Sequence, residues 1–193
     1  MASANVIDPP SRVPDGAPPN GDGIALGSGP VVVDAYVDFL CPFCKMFEQQ
    51  NGEALDELVE TGVITLVYHP LGFLDRLSTT RYSTRAAAAS GCASDGGHFR
   101  EYLNTLYDDQ PPEGSAGLSD DRLVELGLQV GLDENFGNCV RTGAYIGWAE
   151  YVTALAIARG VSGIPTVYVD GAGVPASARA IAEAARTKSA KST

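Results

Sequence analysis

"DFLCPFCK", residues 38–45, sets Cys41 and Cys44 two residues apart at the point where one kind of periodicity gives way to another. Before it, "PVVVDAYVDFL" (30–40) is a strand by its density of β-branched residues and by the Gly-Pro that precedes it. After it, Phe43, Phe47, Ala54, Leu55 and Leu58 recur at roughly helical spacing until Gly62 supplies a stop. "VITLVYH" (63–69) is a second strand, so strand, helix and strand form a βαβ unit with a parallel sheet.

At such a junction Cys41 is placed to cap the helix, with Pro42 at its first position, where a missing N–H costs nothing. The Cys41 sulfur then faces the unpaired N–H groups of Phe43 and Cys44 inside the positive end of the helix. This predicts a thiol more acidic than the ~8.5 of free cysteine. Cys44 lies one turn deeper on the same face, which makes Cys41 the attacking thiol and Cys44 the resolving one. Each unit of acidity gained by Cys41 stabilises the reduced pair by roughly 1.4 kcal/mol, or about 30 mV. Two other uses of the pair fit less well. Zinc needs a second cysteine or histidine pair at short spacing, which Cys92, Cys139, His69 and His98 do not provide, so no metal site is expected. A bridge across two residues constrains an unfolded chain very little.

From 70 to 160 the chain reads as helices. "STTRYSTRAAAASGC" (78–92) is Ala-rich, and "HFREYLNTLYDD" (98–109) carries a clear apolar face. In "LSDDRLVELGLQVGL" (118–132), Ser119 is the cap, Asp120 and Asp121 form the first turn, and Leu118 is set to staple onto Leu123. Asp133 is set to cap a last stretch reaching Arg159, with breaks expected at Gly137, Gly143 and Gly147. "IPTVYVDG" (164–171) returns to strand with a turn at Asp170-Gly171, and "ASARAIAEAARTK" (176–188) is a closing helix. The expected organisation is a flexible Pro/Gly-rich arm at 1–23, sheet elements at 24–69 and 161–187, a helical insertion at 70–160 and a frayed tail at 188–193. "GDGIALG" (21–27) imitates a phosphate-binding glycine run, but no helix opens after it.

The chain has 193 residues, 45% hydrophobic, enough for one well-buried core. A net charge of −11 argues against a nucleic-acid surface, which needs clustered Lys and Arg. No run of about 18 apolar residues is present.

"VSGIPT" (161–166) adds a second motif, a Gly-Ile-Pro-Thr that leads into a strand. In combination with Cys-Pro-Phe-Cys it resembles the thioredoxin superfamily, specifically its DsbA-like thiol:disulfide oxidoreductases. "HPLGFLD", "AAAAS", "HFREYLNTLYDD" and "GLDENFGNCV" resemble the helical insertion of that group. The resemblance implies an α/β thioredoxin fold with an inserted α-helical domain, no cofactor beyond the Cys41–Cys44 disulfide, and a cis Pro165 lying against Cys41. It further implies client contacts through Phe43, Ile164 and Thr166, with Pro42 and Asp38 tuning the thiol. It implies a monomer working outside the cytoplasm on unfolded or reduced secreted proteins, with a membrane partner of the DsbB or VKOR type as reoxidant. The Pro-rich arm would tether it to a preceding signal or membrane anchor. A disulfide reductase or isomerase, or a non-catalytic peptide-binding module, are the alternatives.

Two departures qualify that resemblance. Many relatives carry a buried carboxylate six residues before the first cysteine, where this chain has Ala35; the nearest acids are Asp34 and Asp38. The dipeptide is Pro-Phe and not the Pro-His of the strongest oxidants, so an oxidant weaker than those and stronger than thioredoxin is expected. Cys92 and Cys139 are expected to form a structural disulfide worth about 4 kcal/mol of chain entropy, two buried thiols being the alternative.

Overall fold

The computed structural model describes residues 7–189; positions 1–6 of the expected arm and 190–193 of the expected tail lie outside the described residues. Five strands, β1 (Ile24–Leu26), β2 (Val31–Val37), β3 (Ile64–Pro70), β4 (Thr166–Val169) and β5 (Ala172–Val174), form one sheet in the order β1-β3-β2-β4-β5. Helix α1 (Pro42–Glu60) links β2 to β3, which are parallel, and the other pairings are antiparallel. Along β2, Val31, Val33, Ala35 and Val37 are buried, as a strand with one face in the core requires. The register sets Val37 opposite Pro70 and Tyr36 opposite Thr166, so the end of β2, the exit of β3 and the start of β4 meet at one end of the sheet.

Helices α1 and α7 (Ala178–Ser189) pack together and against the sheet. Between β3 and β4 come α2 (Tyr82–Asp95), α3 (Phe99–Asp108), α4 (Asp120–Gln129), α5 (Glu134–Arg141) and α6 (Ile146–Ala158). Helix α2 is the hub and touches α3, α4, α5 and α6. Its run Ala86–Ala89 is buried on every side, which suits small side chains that let several helices approach at once. Ser119 and Asp133 cap α4 and α5 through backbone N–H groups. Of the three glycines expected to break the last stretch, only Gly143 does so, with φ of +62°; Gly137 and Gly147 sit inside α5 and α6.

A partly buried ionic cluster fastens this layer to the sheet. Arg100 of α3 donates to both oxygens of Asp56 at 2.7 and 3.0 Å and also meets Glu48 of α1, whose other oxygen accepts from Tyr68 Oη at 2.9 Å. A Cβ on Gly52 would meet the ends of both the Glu48 and Arg100 side chains, so a larger residue there would have to displace this pair.

Within the described residues the expected arm is tied down. Trp148 Nε1 donates to Gly21 O at 2.8 Å, Asp15 N to Asp95 at 2.8 Å, and Arg12 Nε to Tyr145 Oη at 3.0 Å. Asp22 is buried and pairs with Arg159, while its carbonyl meets His69 Nδ1 at 2.6 Å. Composition signalled a linker because this segment has no periodicity; it is held by individual hydrogen bonds to residues more than 40 positions away. Among the described residues no helix is long and apolar enough to cross a membrane.

Cys92 of α2 and Cys139 of α5 are joined by a disulfide with Cα atoms 5.9 Å apart, closing a separation of 47 residues. For that length the chain-entropy relation gives about 4 kcal/mol. The double variant Cys92→Ala/Cys139→Ala should therefore unfold at a clearly lower urea concentration than the parent. An unchanged midpoint would show that the bridge contributes nothing to stability.

Candidate active site

Every group at the site is placed by the end of β2 or by an element that meets it there. Residues 38–41 turn the chain out of β2, with Cys41 N donating to Asp38 O at 3.1 Å. Cys41 then caps α1 with φ of −77° and ψ of 117°, and Pro42 holds the first helical position. Lys45 N closes the first turn onto Cys41 O at 3.1 Å.

Cys41 and Cys44 are both thiols, the first nearly covered and the second fully buried. The neighbouring Cys44 thiol and the N–H groups of Cys44 and Phe43 pull the Cys41 thiol down to about 7, against burial and the Asp38 carboxylate, which push it up. Burial drives Cys44 in the opposite direction, far above the ordinary thiol range, with the facing Cys41 sulfur adding to the effect. At neutral pH one sulfur is therefore about half ionised while the other keeps its proton, as an attacking and a resolving thiol require.

Asp38 is fully buried. Its two oxygens accept from Leu40 N and Leu74 N, each at 2.9 Å, so it links the active-site turn to the chain leaving β3. Burial raises its carboxyl to about 6, only partly countered by those donors. Ala35, where relatives were expected to carry an acid, is buried among apolar residues.

The Ile164–Pro165 peptide is cis. It brings the Ile164 carbonyl within 3.9 Å of Cys41 Sγ, which donates to it. Thr166 Oγ1 donates to Gly163 O at 2.7 Å, so this hydroxyl shapes the loop from within. Phe43 is 66% exposed and Met46, one turn on, 42% exposed, which makes an apolar rim beside Cys41 on an otherwise polar helix face. Cys41, Cys44, Pro42, Phe43, Asp38, Ile164, Pro165 and Thr166 are thus gathered at one end of the sheet, while Cys92 and Cys139 lie in the helical layer.

Three neighbours went unnoticed in the sequence. Met46 follows from helical spacing after Phe43. Glu48 sits one turn past Cys44 on the buried face of α1, which its periodicity could have shown. Gln110 gave no sequence signal: its Nε2 donates to Phe39 O at 2.9 Å and Cys41 O at 3.1 Å across about 70 residues of chain.

The thioredoxin family model matches residues 20–185. The chain is 33% identical over 138 residues to the serine/threonine-protein kinase PknE of Mycobacterium tuberculosis, a match covering 67% of this chain and 24% of that protein, so the chain spans about a quarter of the curated relatives it matches. Among solved structures, the DsbA of Mycobacterium tuberculosis in oxidised form is similar with a TM-score of 0.71 and 34% identity, covering 80% of this chain and 85% of that one. The reduced disulfide bond oxidoreductase DsbG of the same organism has a TM-score of 0.70 and 35% identity, covering 79% and 80%. With a helical layer inserted between β3 and β4, a Cys-Pro-Phe-Cys helix start and a cis Pro165, the chain belongs to the thioredoxin family in its DsbA-like form.

Proposed function

We propose that this chain is a protein thiol:disulfide oxidoreductase that introduces disulfides into client proteins outside the cytoplasm. The observation that carries this reading is the opposed pair at the start of α1, with Cys41 acidified and Cys44 buried and protonated beside the cis Pro165. In the oxidised enzyme a client thiolate attacks Cys41 Sγ, a client–Cys41 bond forms and the Cys41–Cys44 bond breaks. Cys44 leaves as a thiolate that its buried site does not tolerate, and it takes up a proton. Asp38, buried and with its carboxyl raised to about 6, is the acid through which that proton arrives. A second client thiolate then attacks the client sulfur. Cys41 departs as the stabilised thiolate, and two electrons have passed from client to enzyme.

The rim of Phe43 and Met46 suits unfolded clients with apolar side chains, and in this reading the backbone at Ile164, beside Cys41, pairs with an extended client segment. An internal disulfide at Cys92–Cys139 supports an oxidising compartment, since such bonds are rare where thiols are kept reduced. Reoxidation by a membrane partner of the DsbB or VKOR type, action as a monomer, and attachment through a signal or anchor before the arm complete the proposal.

The reduction potential of the Cys41–Cys44 pair, read by equilibration with glutathione, should fall between the roughly −270 mV of thioredoxin and the roughly −120 mV of the strongest oxidants. A value at or below thioredoxin's would assign the chain to disulfide reduction instead.

Thiolate absorbance of the reduced protein should rise with a midpoint near pH 7. The folded state favours the Cys41 thiolate, so its contribution to the stability of the reduced protein grows as pH rises from about 7 to about 9 and is lost as pH falls through 7. Above about 9 the buried Cys44, which resists ionisation, gives the opposite slope. Asp38→Asn should move the Cys41 midpoint to lower pH, because it removes a charge that opposes the thiolate, and should slow resolution of mixed disulfides at Cys44. If the midpoint stays put and resolution keeps its rate, Asp38 has neither role.

A further inference from the structure

We propose that Gln110 is a positioning residue for Cys41, bridging the carbonyls of Phe39 and Cys41 so that Cys41 stays at the N-terminal cap of α1. This rests on the reading of Cys41 as the attacking thiol.

Phe39 is fully buried in the turn between β2 and α1, where neither ladder nor helix serves its carbonyl, and a buried carbonyl needs a donor. One amide nitrogen with two hydrogens serves it and the Cys41 carbonyl together, at 2.9 and 3.1 Å. Tying these two oxygens to one nitrogen limits the dihedral angles available to Leu40 and Cys41, and the Cys41 backbone angles restrict the rotamers through which its sulfur can approach the helix end. The amide also presents its positive end to the residue that carries the thiolate.

Gln110 is itself held on both sides. Its N–H donates to Tyr107 O at 3.3 Å at the end of α3, and Pro111 after it restricts its backbone. The helical layer thereby reaches the reacting sulfur through one side chain.

The test compares three variants of the full chain in thiolate absorbance against pH and in the exchange equilibrium with glutathione, with thermal unfolding of the oxidised form as the check on folding. Gln110→Met keeps the shape and removes both donors. It should raise the Cys41 midpoint and lower the equilibrium constant for oxidising glutathione three- to tenfold, tenfold being about 30 mV. Gln110→Glu, which turns oxygens toward both carbonyls, should do more. Gln110→Lys, which restores a donor, should hold the midpoint at or below the parent's. If the Met and Glu variants lose thermal stability yet keep the parent's midpoint and equilibrium constant, Gln110 is a tether only and the proposal fails. These readings are differences between variants, whereas the assignment as an oxidant depends on the parent's own potential, so either can fail without the other.

Discussion

A thiol held at the N-terminal cap of α1 is the constraint around which the rest of the site is arranged. The field of a helix end falls off within its first turn, so the thiolate benefits only while Cys41 stays at the cap. That explains how many independent elements converge on residues 38–41. Strand β2 delivers the turn, Pro42 starts the helix, Asp38 binds the turn to the chain leaving β3, Gln110 reaches in from the helical layer, and the Ile164 carbonyl closes the far side. Three residues farther on, the same helix carries Cys44 into the core, where desolvation acts against ionisation. One turn of backbone thus separates two thiols of opposite character.

Two buried carboxylates near this helix show how surroundings assign roles to like groups. Burial raises both Glu48 and Asp38. Glu48 meets Arg100 and the Tyr68 hydroxyl and serves to clamp α1 to α3. Asp38 meets backbone donors and, among the described residues, no cation within ion-pair distance. Its charge is left to act on the nearby sulfurs, which the first carboxylate's charge is not.

Much of this was legible in the sequence because it is local. Cys41 as cap, Pro42 as first residue, the alternation in β2, the caps at Ser119 and Asp133 and the Asp170-Gly171 turn each depend on neighbours within a few positions. What escaped depends on distant partners. The arm lacks periodicity because its order comes from Trp148, Tyr145, Asp95 and His69. "GDGIALG" hid a strand held by the ladder with β3 and by Ala25 N donating to Gly16 O. Gln110 has no neighbours that mark it. Gly137 and Gly147 read as breaks because helix propensity disfavours them, but tertiary packing overrides that preference.

The three-residue strands β1 and β5 flank the longer strands of the sheet. An exposed sheet margin is a template on which any extended chain can add itself, and a protein that meets unfolded polypeptides encounters such chains constantly. Here the margin of β1 is partly taken up by the arm, Ala25 N donating to Gly16 O at 2.9 Å, and β5 offers only three residues, too little for a stable stray pairing. The proposed docking of an extended client beside the cis peptide would then face little competition from the outer strands, because their brevity leaves few places for a chain to pair elsewhere.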